Sequence, residues 1–344
     1  MGAFSEKRTA LGVQGYLRGS REQAFGTAYI TSPTYFPIKP ESLIKGFIEN
    51  IEDANVINSM VKQAPNPGRY MVGGSIVQDV YPDVIGKILN WILGASSDAG
   101  DVNAGYTHTW LSPVAGVERV ATSFTLEQAI GEQLATQYEG CIIKNMTIAS
   151  DAQANVTVTV EIVAEDYTRD TARAASVTIS SLVPYHFGQA TLQLTPSGTT
   201  QFTQQVTAFE LKIDMNYREG FFVGSNKISQ PKFSGLPVVT FNCSIDADEN
   251  FRDYALAQTA CKIDLTLASG QQAGVSSGDY SVAIEIPGAR LNPDTEIPNT
   301  NEYGVMDIEF DCGYGGTTTG SGATTVMFEA RALDAVAEYP AVTA

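Results

Sequence analysis

Gly140 to Asp166 reads GCIIKNMTIASDAQANVTVTVEIVAED, and this stretch decides the fold. From Val156 to Ala164, Val and Ile residues alternate with Thr and Glu, and Val163 is the one break. A period of two is typical of a strand with one buried and one solvated face. The residues before the polar turn at 151–153 alternate in the same way, so the stretch predicts a long antiparallel hairpin. Because a hairpin alone is at best marginally stable in water, the rest of the chain must supply a second apolar layer.

The composition is that of a globular protein with an acidic surface. The 344 residues are 43% hydrophobic and 17% charged, and the formal net charge is −17. This charge argues against a nucleic-acid clamp, which needs clustered Lys and Arg. No apolar run approaches the ~18 residues of a membrane helix, and residues 1–8 lack the apolar core of a signal peptide. We therefore expect synthesis to end in a cytoplasm.

The order of elements in the first half returns in the second, which indicates two domains, residues 1–180 and 181–344. Each domain is predicted to be mainly β, with one short α-helix, and each is long enough to bury a core. The predicted equivalences are Leu43–Asn50 with Phe209–Tyr217, Tyr70–Val77 with Val238–Ile245, the helix from Pro82 with a shorter helix from Asp248, Val120–Leu126 with Tyr280–Ile286, and the hairpin with a second hairpin of Val305–Cys312 and Thr325–Ala330.

The connecting segments are less decisive. Residues 12–31 are rich in glycine and aromatic residues, which predicts an extended arm or an edge strand with turns. Periodicity leaves helix and strand open for Leu43–Ile51. The small, polar residues 95–105 predict a loop, and the glycine-rich residues 313–322 predict a mobile hairpin tip.

The catalytic and metal-binding motifs are weak. Gly274–Gly278 matches G-x-S-x-G, but both histidines precede its serine, whereas a hydrolase of this type places its histidine after the serine. Asp246–Asn250 opens like a calcium loop, but Phe251 replaces the glycine that such a loop requires, so we favour a helix cap at Asp248. We predict no catalytic, metal or cofactor site.

His108 and the four cysteines are interpreted as structural. His108 alternates with Thr in a predicted strand and has no neighbouring Cys or Asp to complete a metal site, so we expect a hydrogen-bonded core histidine. The cysteines, Cys141, Cys243, Cys261 and Cys312, are far apart in sequence and match no metal-binding spacing, which predicts buried thiols.

Asp307, Glu309 and Asp311 share one face of a strand whose other face is apolar. Two carboxylates in a cleft could serve a glycosidase. Three like charges without a neighbouring cation favour a solvated stripe instead.

Short motifs follow one another in a fixed order over nearly the whole chain. They are Gly26-Thr27-Ala28, Phe36-Pro37-Ile38 and Glu41-Ser42-Leu43, then Gly73 to Ile76, Tyr81-Pro82-Asp83 opening a helix that ends at Leu93-Gly94, Tyr106 to Thr109, Tyr138 to Cys141, and Phe209 to Asn216 followed by Gly224-Ser225. In this order they resemble tail tube proteins of long-tailed, siphovirus-like phages.

The resemblance implies two tandem β-sandwich or β-barrel tail-tube domains, each with a short flanking α-helix. It implies that three chains, carrying 3 × −17 = −51 formal charges, close into a pseudo-hexameric ring, and that rings stack into the tube through which DNA is ejected. The implied partners are further copies of the chain, tape-measure, tail terminator and distal tail or baseplate proteins, and passing double-stranded DNA without sequence-specific binding. No membrane partner and no enzyme activity are implied. The implied location is the virion tail, after assembly in the host cytoplasm.

A tube of this kind leads us to two sets of candidate residues. The acids expected to line the lumen are Glu161, Glu165, Asp307, Glu309 and Asp311. The candidate contacts between rings are Tyr16, Phe25, Tyr29 and Tyr314, because mobile edges can become ordered by adding to a neighbouring sheet.

Two other functions stay open on the sequence. An acidic β-sandwich adhesin or carbohydrate-binding module would share the strands, and it predicts a monomer or small oligomer without filaments. A glycosidase would need its acids in a cleft, with the pKa of one of them raised.

Overall fold

The hairpin is present in the computed structural model, with arms at Ala135–Asp151 and Thr157–Ala164. Gln153 in the turn between them has a φ of 71°. The structure describes residues 16–30, 33–39, 42–51, 66–112, 121–129, 135–172, 174–178, 180–196, 205–246, 260–292, 305–313, 315–318 and 325–339.

The described chain is mainly β. The strands are β1 Tyr16–Arg21, β2 Thr34–Phe36, β3 Leu43–Ile51, β4 Asn66–Asp79, β5 Ser97–Asp101, β6 Gly105–Leu111, β7 Phe124–Ala129, β8 Ala135–Asp151, β9 Thr157–Ala164, β10 Asp166–Thr171, β11 Ala190–Pro196, β12 Gln205–Asp214, β13 Tyr217–Gly220, β14 Ser229–Phe233, β15 Val238–Asp246, β16 Cys261–Gln272, β17 Asp279–Leu291, β18 Val305–Asp311, β19 Gly316–Thr317, β20 Thr325–Val326 and β21 Glu329–Asp334. The helix α1 spans Ile85–Leu93, and a 3₁₀ turn spans Phe187–Gln189.

Seven antiparallel strands from both halves form one sheet, in the order β3, β4, β9, β8, β12, β15, β18. We call it the joint sheet. Its two halves meet at the β8–β12 ladder, where Ile148 lies opposite Leu211. The β7 sheet contains β2, β1, β7, the first part of β8, and β10, and the β16 sheet contains β11, β16, β17, β21, β6 and β5. Buried residues of all three sheets form one continuous core, so the joint sheet has one dry face.

The strand pairings of the first half recur in the second with matching registers, apart from a shift between Thr168 and Thr171 in the β8–β10 ladder that the β17–β21 ladder lacks. The matching ladders are β3–β4 and β12–β15, β4–β9 and β15–β18, β8–β9 and β17–β18, β7–β8 and β16–β17, β1–β7 and β11–β16, and β8–β10 and β17–β21. Even an irregularity recurs, because the β7–β8 register shifts after Phe124 and the β16–β17 register shifts after Cys261.

Several predicted segments need correction. The second hairpin was placed wrongly, because β18 pairs with β15 and β17, whereas Glu329–Ala330 pair with β17 and β6. Tyr280–Ile286 lies in β17, which matches β8 and not β7. The predicted loop at 95–105 contains β5, whose five residues are all exposed. Leu43–Ile51 is a strand, and the predicted helix from Asp248 lies outside the described residues.

Helix α1 ends as predicted at Gly94, whose φ of 87° suits a residue without a side chain. The Asn90 side chain donates a hydrogen bond to the Gly94 carbonyl oxygen at 2.8 Å. Eight of the nine helix residues are buried, which is typical of a helix enclosed by other elements. Trp91 stacks on Phe124 of β7, with ring centroids 4.2 Å apart, and so attaches the helix to the β7 sheet.

Candidate functional surface: the polar face of the joint sheet

The second face of the joint sheet is polar across both halves. One row of paired residues crosses it through Thr159, Thr147, Lys212, Thr240 and Asp311. The next row crosses through Thr157, Ala149, Glu210, Asn242 and Glu309. Alternation sends these side chains away from the core, because their strand neighbours are buried.

Four of the five acids predicted to line the lumen lie on this face, namely Glu161, Asp307, Glu309 and Asp311, and all four are exposed. Glu161 accepts a hydrogen bond from the Asn145 side-chain amide at 2.7 Å, and Asp307 accepts one from the Ser244 hydroxyl. The predicted solvated stripe on β18 is therefore confirmed. Further carboxylates on the same face are Asp79, Asp151, Glu210 and Asp214, and the lysines are Lys45 and Lys212.

Glu161 and Glu309 hold matching positions in the two halves. Glu161 lies opposite Ser75 in the β4–β9 ladder, and Glu309 lies opposite Asn242 in the β15–β18 ladder. Lys45 and Lys212 correspond in the same way, because Lys45 pairs with Gly73 of β4 and Lys212 pairs with Thr240 of β15. The match of Glu161 with Glu309 was not predicted from the sequence, since the second half's hairpin was paired with the wrong strands. The strands that carry Lys45 and Lys212 were matched correctly, but these two residues were not aligned.

Glu165 lies apart from the other four acids. It is half-buried and lies against Gly26 and Gly140, where a Cβ added to Gly140 would be 2.8 Å from the Cβ of Glu165. Burial raises the pKa of Glu165, and the positive charge of Lys227 opposes this rise. Between Glu165 and Glu161, the side chain of Val163 is covered by an apolar cluster with Ala121, Ile142 and Ile228.

An open groove of about 640 Å³ lies on the polar face where the two halves meet. Its lining includes Asp151, Glu210, Asn242, Asp307 and Glu309. The residues described contain no group of three His, Cys, Asp or Glu side chains placed to hold a metal ion. The groove is thus an acidic, solvated surface continuous with the rest of the face.

The predicted contacts between rings lie in several environments. Tyr16 begins β1, which pairs with both β2 and β7, so the N-terminal segment contains an internal strand and not an edge strand. Phe25 packs against the Val163 cluster, and the Tyr29 amide donates to the Thr125 hydroxyl at 3.0 Å. Tyr314 lies outside the described residues. Whether these residues join one ring to the next stays a prediction.

The weak motifs are structural where the chain is described. Gly274–Gly278 forms the exposed turn between β16 and β17, and the four cysteines are buried and free, as predicted. The residues of the calcium-like motif after Asp246 lie outside the described part.

His108 is fully buried and contacts the C-terminal segment at Asp334 and Val336. The prediction of a hydrogen-bonded core histidine is confirmed. Its Nδ1 lies 2.8 Å from Asp98 Oδ1, and its Nε2 lies 2.8 Å from the Val336 carbonyl oxygen and 3.2 Å from Asp334 Oδ1. Both ring nitrogens thus face acceptors, which favours the doubly protonated ring. Burial alone lowers the pKa of His108, but the hydrogen bonds and charges of Asp334 and Asp98 outweigh it and raise the pKa to about 9.

We expect deprotonation of His108 at alkaline pH to lower the free energy of unfolding. Because its folded-state pKa is above the ordinary value of 6.5, its contribution is complete below about pH 6.5 and is lost as the pH rises through about 9. The loss is on the order of 3 kcal/mol. Urea unfolding of the wild type and of His108→Gln between pH 6 and pH 10 measures it. An equal alkaline loss in the variant would contradict the assignment.

Comparison with known proteins identifies the chain's family. Residues 12–339 match the family model described as phage tail tube protein. A search of curated proteins found no match. In the described residues, no helix has both the length and the apolar character needed to cross a membrane. Since the family match extends over nearly the whole sequence, the chain belongs to the phage tail tube protein family and is a structural component of the virion tail.

Proposed function

We propose that three copies of this chain close into a ring, and that such rings stack to form the tail tube through which DNA leaves the virion. Each chain contributes two tail-tube domains, residues 1–180 and 181–344, so that the ring has pseudo-sixfold symmetry. The recurrence of six strand ladders supports this arrangement. The joint sheet then forms one third of a closed inner wall.

The observation that carries the proposal is the acidic face of the joint sheet, on which Glu161 and Glu309 hold matching positions. In a ring of three chains these two residues make a circle of six carboxylates. A wall that carries part of the −51 formal charges per ring repels DNA phosphates and so lets the duplex pass without adhering. Binding to DNA is accordingly neither tight nor sequence-specific.

The assembly places the protein in the tail of a long-tailed, siphovirus-like phage, built in the host cytoplasm. Its other partners are a tape-measure protein in the lumen, a tail terminator at one end and distal tail or baseplate proteins at the other. The residues proposed to join one ring to the next are Tyr16, Phe25, Tyr29 and Tyr314.

Electron microscopy of the purified protein tests the proposal directly. We expect hollow filaments whose averaged cross-sections have threefold symmetry and six similar lobes. Dispersed monomers at all concentrations, salt conditions and temperatures tried would contradict it and would favour the adhesin or carbohydrate-binding alternative.

A further inference from the structure

Among the strands that the structure describes, β3 is the outermost of the joint sheet and pairs with β4 alone. Near the end of this strand, Phe47 and Ile48 are 56% and 49% exposed, although Ile44 on the core side is buried. An exposed strand edge with apolar side chains is a surface that adds a further strand. The matching edge in the second half of the chain indicates which segment would add to β3.

The strand β12 shows what covers the matching edge in the second half. Lys45 and Lys212 hold equal positions, and extending this register by three residues puts Ile48 where Met215 stands. Met215 is only 1% exposed, and its amide donates to the carbonyl oxygen of Lys144 in β8 at 2.9 Å. Pairing with β8 of the first half therefore buries Met215 of β12. The matching residue of β3, Ile48, is exposed.

The counterpart of Lys144 is Asn292, at the far end of the joint sheet. Ile142 and Ile143 of β8 lie opposite Val163 and Ile162, whereas Arg290 and Leu291 of β17 lie opposite Asp311 and Phe310 in the matching ladder. The next residue after each pair is Lys144 in the first half and Asn292 in the second. The Asn292 amide donates to the Glu309 carbonyl oxygen at 2.8 Å, which continues the β17–β18 ladder.

We propose that a second copy of this chain adds its β3 edge to the Leu291–Asn292 end of the joint sheet, so that Ile48 meets Asn292 as Met215 meets Lys144. The Ile48 amide of one copy then donates to the Asn292 carbonyl oxygen of the next, and the Ile48 side chain becomes buried as Met215 is. This interface rests on the proposed ring and specifies how its chains join.

The two junctions differ in polarity, and the proposed junction between chains is the more polar of the two. At the junction within the chain, Ile142 and Val163 form an apolar cluster with Ile228. At the proposed junction between chains, the matching positions are Arg290 and Asp311, which are both exposed. A free chain therefore presents a polar surface there, and the added strand and Ile48 supply most of the attraction.

Cross-linking tests the register. From β3 through β18 to the end of β17, seven strand spacings of about 4.8 Å separate Ile48 from Asn292 within one chain, roughly 34 Å, which a short bismaleimide cannot span. In assembled Ile48→Cys/Asn292→Cys protein we expect a covalent ladder that ends at the trimer. Each single variant, and the wild type with its four buried cysteines, should give no trimer. Hollow tubes without cross-links would overturn the proposed register but not the proposed tube function. If no tubes formed at all, the proposed function itself would be contradicted.

A substitution at the edge tests the energetic role of Ile48. We expect Ile48→Lys to raise the lowest concentration at which tubes form by about tenfold or more, because it puts a charge where an apolar side chain would be buried. Val183→Lys is the matched control, since Val183 is 61% exposed elsewhere on the chain. Both monomers should keep the thermal unfolding of the wild type. Assembly of Ile48→Lys at wild-type concentrations, with a folded monomer, would overturn the proposal.

Discussion

Virions whose tubes carry Glu161→Lys, Asp307→Lys and Glu309→Lys are expected to assemble but to release their DNA roughly tenfold or more slowly than the wild type. Each reversal changes the charge of a chain by 2, so the ring changes from −51 to −33. The new lysines stand on the polar face of the joint sheet and bind phosphates of the passing duplex, which also makes the delay depend on salt. Asp311 is left unchanged because it lies opposite Arg290 at the proposed junction between chains.

A control with the same net charge separates the local effect from the global one. Asp101, Asp279 and Glu338 are exposed and lie outside the joint sheet, so reversing these three acids alters the ring charge equally. We expect this control to release DNA at the wild-type rate. The measurement is the rate of DNA release from purified virions triggered in vitro. Equal rates of DNA release for both triple variants would show that the joint sheet does not line the lumen.

Strands with a strict alternation could be predicted from the sequence. From Phe209 to Asp214 in β12, apolar and polar side chains alternate without a break, and Phe209, Leu211 and Ile213 are buried while Lys212 is exposed. The same holds for the acids of β18. In both strands the rule succeeds because one face lies on the core and the other meets solvent along the whole length.

The partners of those strands could not be predicted. Glycine-rich residues 313–322 look like a hairpin tip, yet β18 pairs with β15 and with the end of β17. Which strands pair is decided by packing between residues far apart in sequence, whereas the composition of a turn indicates only where the chain changes direction. Strand β5 was missed for the opposite reason, because its exposed residues SDAGD have no buried face and, among the described strands, pair with β6 alone.

The break at Val163 has a structural reason that lies far along the chain. Its side chain is on the polar face of the joint sheet, where alternation predicts a polar residue. Ile228, beside the β13–β14 hairpin of the second half, covers it together with Ile142. A contact between residues so far apart leaves no periodic signal, so the sequence indicates the exception but not its cause.

Replacing Trp91 by Ala is expected to destabilise the protein by about 3–5 kcal/mol, the usual cost of removing a large buried aromatic side chain. Trp91 lies between Phe124, stacked at 4.2 Å, and Phe36, at 5.3 Å. The space beside it cannot close easily, because Gly19 already lies so near that an added Cβ would be 2.8 Å from the indole ring. Val275→Ala, at a position 73% exposed, is the control and should change the unfolding free energy by less than about 0.5 kcal/mol.

The same variant also tests whether the two halves unfold together. Without Trp91, Trp110 is the only tryptophan, and it lies on β6 opposite Ala330 of β21. Its fluorescence therefore reports the contact between the first half and the C-terminal strand, while circular dichroism reports all strands. Because the joint sheet and the core extend through both halves, we expect the two urea transitions to coincide. If fluorescence and circular dichroism changed at separate urea concentrations, each half would be an independent folding unit, and the β8–β12 ladder would be too weak to couple them.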